Sequence, residues 1–311
     1  MTLTQLEYVV AVDNCRHFAT AASRCFVTQP TLSMQIQKLE EELGIKIFDR
    51  SKQPVIPTEG GREIIEQAKK VLAEKSKITE LVQIRKGILA GELRIGIIPT
   101  LAPYLLPLFL KSFNAKFPEV KLIVNEMMTE FIVQRLREGR IDVGLLVTPL
   151  QEKGIREQPL FYEELVAYVS RKNAAYEKTY VLAQDIDPEK LWLMEEGHCF
   201  RSQIVNLCEL RKASESGSHF EYEAGSIETL RRMVDLNDGI TILPELTTLD
   251  MGSKQQKQIR HFKSPAPMRE VSMVTHRDFM KKQLIKALQE EIIAAVPDSV
   301  KDNKSKNVIP L

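Results

Sequence analysis

The sequence predicts an α/β chain headed by a small all-helical domain and a long connecting helix. Three observations predict it: helical apolar spacing through Leu43, an apolar stripe from Glu59 to Arg85, and alternating strand and helix patterns from Leu93 onward. A chain of 311 residues exceeds what one core usually organises, so several domains are expected. With 43% hydrophobic and 27% charged residues it is globular, and a net charge of +1 neither favours nor excludes a nucleic-acid partner. The N-terminus lacks a basic segment followed by an apolar run, and no stretch approaches the roughly 18 apolar residues of a membrane span. A cytoplasmic protein without a membrane partner is expected. Cys15, Cys25, Cys199 and Cys208 are too scattered for a disulfide scaffold and form no CxxC pair, so thiols rather than a metal site are expected.

Leu6, Val9 and Val10, then Phe18, Ala21 and Ala22, mark two short helices broken around Asn14–Arg16. Ala19, Ala21 and Ala22 are small enough for another helix to cross closely. The crossing helix follows: Thr28 caps it, Pro30 falls in its tolerant first turn, Leu32, Ile36, Leu39 and Leu43 share one face, and Gly44 ends it. Its other face carries Thr31, Ser33, Met34, Gln37 and Lys38, with Gln29 at the start. These groups read either as a solvated face or as a major-groove surface, where amides bond adenine and lysine meets phosphate. Ile47–Arg50, the polar tip Ser51–Pro54 and Val55–Thr58 read as a small β-wing carrying Arg50 and Lys52, which tips the balance toward nucleic acid.

After Glu59, the apolar positions Ile64, Ile65, Ala68, Val71, Leu72, Ile78, Leu81 and Val82 continue without proline, interrupted by Lys75. A period of about 3.5 residues favours pairing with a second copy, and packing on the chain's own body is the alternative. Gly87 and Gly91 bracket a hinge. Beyond it, strands are expected at Leu93–Ile98, Leu122–Met127, Asp142–Val147, Leu165–Ser170 and Val271–His276, with helices at Leu105–Phe117 and Glu130–Glu138. Neither common glycine-rich phosphate loop occurs, so no cofactor is expected.

The run Val27–Ser33, with Gln35, Ile36, Leu39, Glu40, Leu43, Gly44, Ile47, Phe48, Arg50 and Thr58–Gly61, resembles the LysR-type regulators. The resemblance implies a winged helix-turn-helix at 1–58, a dimerising linker helix at 59–88, and a two-subdomain periplasmic-binding-protein-like regulatory domain at 89–300. Subdomain I would comprise 89–167 and 265–300 and subdomain II 168–264, the chain crossing near Tyr168 and returning near Ser264. The charged tail, 301–311, is expected to be disordered. DNA contacts would fall on Thr28, Gln29, Pro30, Thr31, Ser33, Met34, Gln37 and Lys38, with Arg50 and Lys52 on phosphates. Met34 departs from the family, which often has arginine there, and methionine cannot form the bidentate bond to guanine.

Leu191–Met194 reads as a strand, Glu195–Gly197 as a turn, and His198–Arg201 as the opening of a helix with Phe200, Ile204, Leu207 and Leu210 or Arg211 buried. Cys199 then sits at a helix N-terminus, where the dipole, Arg201 and a protonated His198 favour a thiolate able to attack peroxide oxygen. Two ordinary buried cysteines are the alternative. Gly197-His198-Cys199-x-Arg201-x-Gln203 with Cys208 resembles the peroxide-sensing members of the LysR-type family, as do Gly96–Thr100, Pro103–Pro107, Ser226–Val234 and Gly239–Pro244.

That resemblance implies Cys199 as the peroxide-reactive residue and Cys208 as its disulfide partner, with Thr100, Thr129 and His198 positioning peroxide. Within one helix the two cysteines stand roughly 13 Å apart along the axis, against the roughly 7 Å a disulfide tolerates, so joining them requires the helix to unwind. Thr100 could instead cap a helix, and His198 could serve a backbone group. Asp142 would face RNA polymerase or cap a strand turn. The partners implied are promoter DNA, further copies in a homodimer or homotetramer, hydrogen peroxide, RNA polymerase, and a reductant of glutaredoxin or thioredoxin type. Two competing functions are a regulator binding a small metabolite through Thr100 with Ser226 or Thr129, and a catalytic thiol peroxidase. No separate catalytic constellation is found, so an enzyme is not expected. Phe200–Leu207 and Ser214–His219 carry no matched motif.

Overall fold

The computed structural model describes residues 1–85, 89–195, 199–208, 224–276, 281–301 and 307–309. The chain forms two compact units, one built on Met1–Leu89 and the other on Ala90–Arg277 and Gln283–Leu311.

The first unit opens with α1 (Leu3–Cys15), α2 (Phe18–Arg24) and α3 (Gln29–Leu43). Thr2 and Gln5 close a capping box on α1, and Arg16 ends it in the left-handed conformation. Ala21 and Ala22 are fully buried where α2 meets its neighbours, as close crossing demands. Thr28 caps α3 by accepting from Thr31 N, and Gly44 ends it at φ +67°. The wing is β1 (Phe48–Asp49) paired antiparallel with β2 (Ile56–Pro57). Gly61 is dictated by crowding, because a Cβ there would lie 2.0 Å from the Ile47 carbonyl oxygen. α4 (Glu59–Arg85) then runs on as one helix. Its stripe divides: Ile65 and Ala68 are buried in the head core, whereas Val71 and Ile78 are 43% and 66% exposed. Lys75, the interruption, pairs with Glu7 on α1 at 2.5 Å.

The second unit begins with β3 (Gly91–Ile97), α5 (Ala102–Lys116), β4 (Val120–Glu126), α6 (Thr129–Arg137) and β5 (Val143–Thr148). β3 lies parallel between β4 and β5, so the loops after β3 and β4 leave the same end of the sheet. β6 (Ile155–Val169) is the long member that sequence reading missed in its first half, because Ile155–Glu164 alternates polar and apolar residues too irregularly. It is followed by β7 (Tyr180–Val181), α7 (Cys199–Leu207), α8 (Ile227–Leu236), β8 (Ile240–Pro244), α9 (Ser253–Gln256) and β9 (Ile259–Phe262). β10 (Met268–His276), α10 (Lys282–Ala295) and α11 (Asp298–Lys301) complete it.

The sheet order is β4-β3-β5-β10-β6-β9-β7, with β8 also on β6. β6 pairs with β10 through Glu164 and with β8 and β9 from Leu165, so the strand passes between its two sets of partners earlier than Tyr168. Leu191–Met194, expected as a strand, makes only isolated bridges, from Leu191 to Ile240 and from Met194 to Ala224. Of the tail, residues 307–309 depart from expectation. Val308 bridges Met268, and Ile309 packs against the second core, because two apolar residues at the end of a polar stretch find buried partners.

Candidate functional site

On the head, Thr28, Gln29, Pro30, Met34, Gln37, Lys38, Arg50 and Lys52 are exposed, and Thr31 and Ser33 partly so. Leu32, Ile36 and Leu39 on the opposite face of α3 are fully buried, which fixes the polar face outward. The wing is tied to α3 through Glu40, whose side chain is fully buried. One carboxylate oxygen accepts from Ile47 N at 2.8 Å and Phe48 N at 3.2 Å, and the other from Arg50 Nη2 at 3.2 Å. Arg50 also donates to Ser33 Oγ at 2.9 Å and lies 5.0 Å above the Phe18 ring. Its guanidinium thus joins helix, wing and α2, and Lys52 extends the cationic surface at the wing tip.

In the second unit Cys199 is the first residue of the nine-residue helix α7, as its spacing implied. The structure describes its backbone position only, and His198, the Glu196–Gly197 turn and Ser214–His219 lie outside the described residues. Phe200 and Ile204 anchor α7 in the core. Arg201 Nη1 donates to Met194 O at 2.6 Å, tying the helix to the segment that precedes it. Cys208 continues the helical bonding, its N donating to Ile204 O at 3.0 Å, and burial pushes its thiol up to about 11.

Arg269, which sequence reading missed, organises the site. It is fully buried on β10, with its guanidinium 5.6 Å from the ring centre of Phe200, the residue after Cys199. Its Nε donates to Glu163 Oε2 at 2.7 Å, while Nη1 and Nη2 reach Thr100 Oγ1 and Thr100 O at 3.3 and 3.4 Å. Glu163, equally buried, accepts from Leu246 N at 2.7 Å with its other oxygen. The guanidinium therefore links Thr100, Glu163 and the Phe200 ring. The available signal was a charged residue opening the apolar run after Pro267, opposite Glu163 in register.

Thr100 does not cap α5, whose N-cap is Leu101 without a side-chain bond. It lies on the loop after β3, and Thr129 opens α6 after β4, at the same end of the sheet. Asp142 accepts from Arg94 N at 2.8 Å, the strand-capping alternative. Ser226 caps α8 by accepting from Thr229 N at 3.3 Å. Tyr104 donates to Glu228 at 3.0 Å, and Arg231 reaches the same oxygen at 2.7 Å. Burial, then Glu228, raises the Tyr104 phenol well above its usual value.

A winged helix-turn-helix and a linker helix beside an α/β unit with a cysteine-headed helix define a bacterial regulator with a sensing domain. Residues 3–62 match the bacterial regulatory helix-turn-helix protein, LysR family, and residues 86–297 the LysR substrate binding domain. The chain belongs to the LysR family. The hydrogen peroxide-inducible genes activator of Haemophilus influenzae is 34% identical over 97% of this chain and 98% of its own length. The DNA-binding transcriptional dual regulator OxyR of Escherichia coli is 36% identical over 79% of this chain and 80% of its own. A full-length OxyR variant of Pseudomonas aeruginosa superposes with a TM-score of 0.77 at 34% identity, covering 95% of this chain and 99% of that one. A Corynebacterium glutamicum OxyR mutant with hydrogen peroxide bound superposes with a TM-score of 0.61 at 27% identity, covering 94% of this chain and 92% of that one.

Proposed function

We propose that this chain is a peroxide-responsive transcriptional regulator that binds promoter DNA through the exposed face of α3 and the wing, and is switched by a Cys199–Cys208 disulfide. The single observation that carries the reading is Arg269, a fully buried cation over Phe200 at the head of α7. It ties the residue after Cys199 to Thr100, and the N-terminus of α7, where Cys199 stands, favours negative charge through the helix dipole. The relatives are named for hydrogen peroxide induction, and one related structure holds the peroxide itself.

The Cys199 thiolate attacks one peroxide oxygen, the O–O bond breaks, and hydroxide leaves to take up a proton, giving a sulfenic acid. Thr100, Thr129 and His198 orient the peroxide. Cys208, once its own proton is lost, attacks the sulfenic sulfur and expels water, forming the disulfide. With burial holding its thiol up near 11 and its N bonded to Ile204 O at the end of α7, Cys208 does not do this in place. The helix must unwind to bring the sulfurs together, and that refolding is the signal. A dithiol reductant of glutaredoxin or thioredoxin type returns two electrons to reset it.

The domains of the switch are 1–58, 59–88 and 89–300, with exposed Val71 and Ile78 of α4 facing a second copy in a dimer or tetramer. RNA polymerase would meet the face around Asp142. The metabolite reading is weaker because Arg269 already engages Thr100.

The test is mass spectrometry of thiols after brief, near-stoichiometric peroxide on wild type and Cys208→Ser. A rapid Cys199–Cys208 bond in wild type, and a trappable Cys199 sulfenate in the variant, are expected. If Cys199 reacts no faster than free cysteine, the reading fails.

A further inference from the structure

The C-terminal residues 307–309 are fastened to the cysteine-bearing helix and to the start of β10 at once. Met268 N donates to Asn307 O at 3.0 Å, and Ile309 N donates to Met268 O at 2.8 Å, a parallel bridge centred on Val308. Asn307 Nδ2 reaches Pro265 O at 2.9 Å and Ala266 O at 3.3 Å. The Ile309 side chain packs against the core that holds Phe200, Ile204, Leu207 and Cys208. The remaining fastening is to α7 itself: Gln203 Nε2 donates to Ile309 O at 3.0 Å. Gln203 is fully buried and lies one turn beyond Cys199, on the same face of the helix.

Two features make this more than a pinned end. Among the described residues Gln203 Oε1 has no hydrogen-bond partner and the strap's carbonyl is the one partner of this buried amide, so helix and strap hold each other. Met268, which takes the strap, is followed by Arg269, which lies over Phe200 and binds Thr100. Strap and β10 therefore both hold α7, the segment that must unwind.

We propose that Asn307–Ile309 is an intrachain strap that holds α7 helical in the thiol form and is released when Cys199 and Cys208 join. Gln203 is the positioning residue that couples the two. Unwinding α7 carries Gln203 away from Ile309 O and opens the apolar seat of Ile309, so the disulfide form no longer retains the strap. Conversely, the strap opposes oxidation, and its loss makes the disulfide easier to form. This rests on the disulfide proposed above.

The test is hydrogen exchange by mass spectrometry on the full chain, reading peptides that contain Met268 and Ile309, with thiols counted on the same samples. In reduced wild type both amides should be protected, and after one equivalent of hydrogen peroxide their exchange should rise tenfold or more as two thiols per chain disappear. Unchanged protection in a sample that has lost both thiols overturns the strap. Failure to lose the thiols overturns the disulfide reading and the coupling with it, and the thiol count shows which has happened. Gln203→Leu in reduced protein should raise Ile309 exchange without oxidation. In a glutathione buffer the same variant should shift the thiol–disulfide equilibrium toward disulfide by roughly fivefold, the worth of one hydrogen bond. A purely structural glutamine would change the unfolding midpoint and leave that equilibrium where it was, which would refute the coupling.

Discussion

Arg269→Met offers the sharpest test of how the redox site is held. Arg269 and Glu163 both have side chains of 0% exposure, and they meet at 2.7 Å. Removing one partner of such a pair leaves the other charge buried and costs about 3–5 kcal/mol. At roughly 2–4 °C per kcal/mol for a domain of this size, the melting midpoint should fall by about 6–20 °C. Glu163→Gln added to Arg269→Met removes the stranded charge and should restore most of the loss, since a paired replacement is often nearly neutral. Trp192 is the sole tryptophan and packs against the second core, so its fluorescence reports urea unfolding of this unit. The double variant should regain stability yet keep a slow Cys199, because the cation is gone from the head of α7. The argument fails if the single substitution costs under about 1 kcal/mol, or if the double variant is no more stable than the single.

Glu40→Gln should lower head stability by about 2–4 kcal/mol, because a buried carboxylate that accepts from Ile47 N, Phe48 N and Arg50 loses its charge; a thermal melt and a DNA mobility shift should weaken together. Ile78→Glu places a charge on the 66% exposed apolar position of α4, and sedimentation should show smaller assemblies with little change in head stability. Met34→Arg should favour sites with guanine opposite α3, read by selection from randomised operators, since arginine restores the bidentate contact. His261 has its pKa raised above 6.5, chiefly by its hydrogen bond to Glu164. A raised histidine pKa adds stability that is complete below 6.5 and lost as pH climbs through the folded value, so His261→Gln should be less stable than wild type in acid and equal to it in alkali, by chemical denaturation across pH.

The head was legible almost residue by residue, because its signals are local. Thr28 and Gly44 bound a helix by their own chemistry, and Leu32, Ile36 and Leu39 set its buried face. The linker stripe was legible too, though not its division between Ile65, which packs on the head, and Ile78, which does not. What stayed hidden depends on distant pairing. The first half of β6 reads as irregular polar sequence because its partner β10 lies more than a hundred residues away. Arg269 was hidden for the same reason: only register across those strands brings it opposite Glu163 and over Phe200. Arg50 was placed on phosphate by the family resemblance, and nothing nearby in sequence announces its bonds to Glu40 and Ser33.

The buried arginine also bears on which signal this domain can receive. A regulator that senses a metabolite between its subdomains needs polar groups there left open to a ligand. Here Thr100 presents its hydroxyl and its carbonyl to Arg269, Ser226 caps α8, and Tyr104 is engaged with Glu228. A ligand that took Thr100 would have to compete with the bonds Thr100 makes to Arg269. Hydrogen peroxide is scarcely larger than water and acts by oxidising a thiol rather than by filling a cleft. On that ground the redox reading predicts that Arg269→Met loses peroxide response without gaining any ligand, and a variant that acquired metabolite-dependent stabilisation would show that Arg269 had been filling a ligand's place.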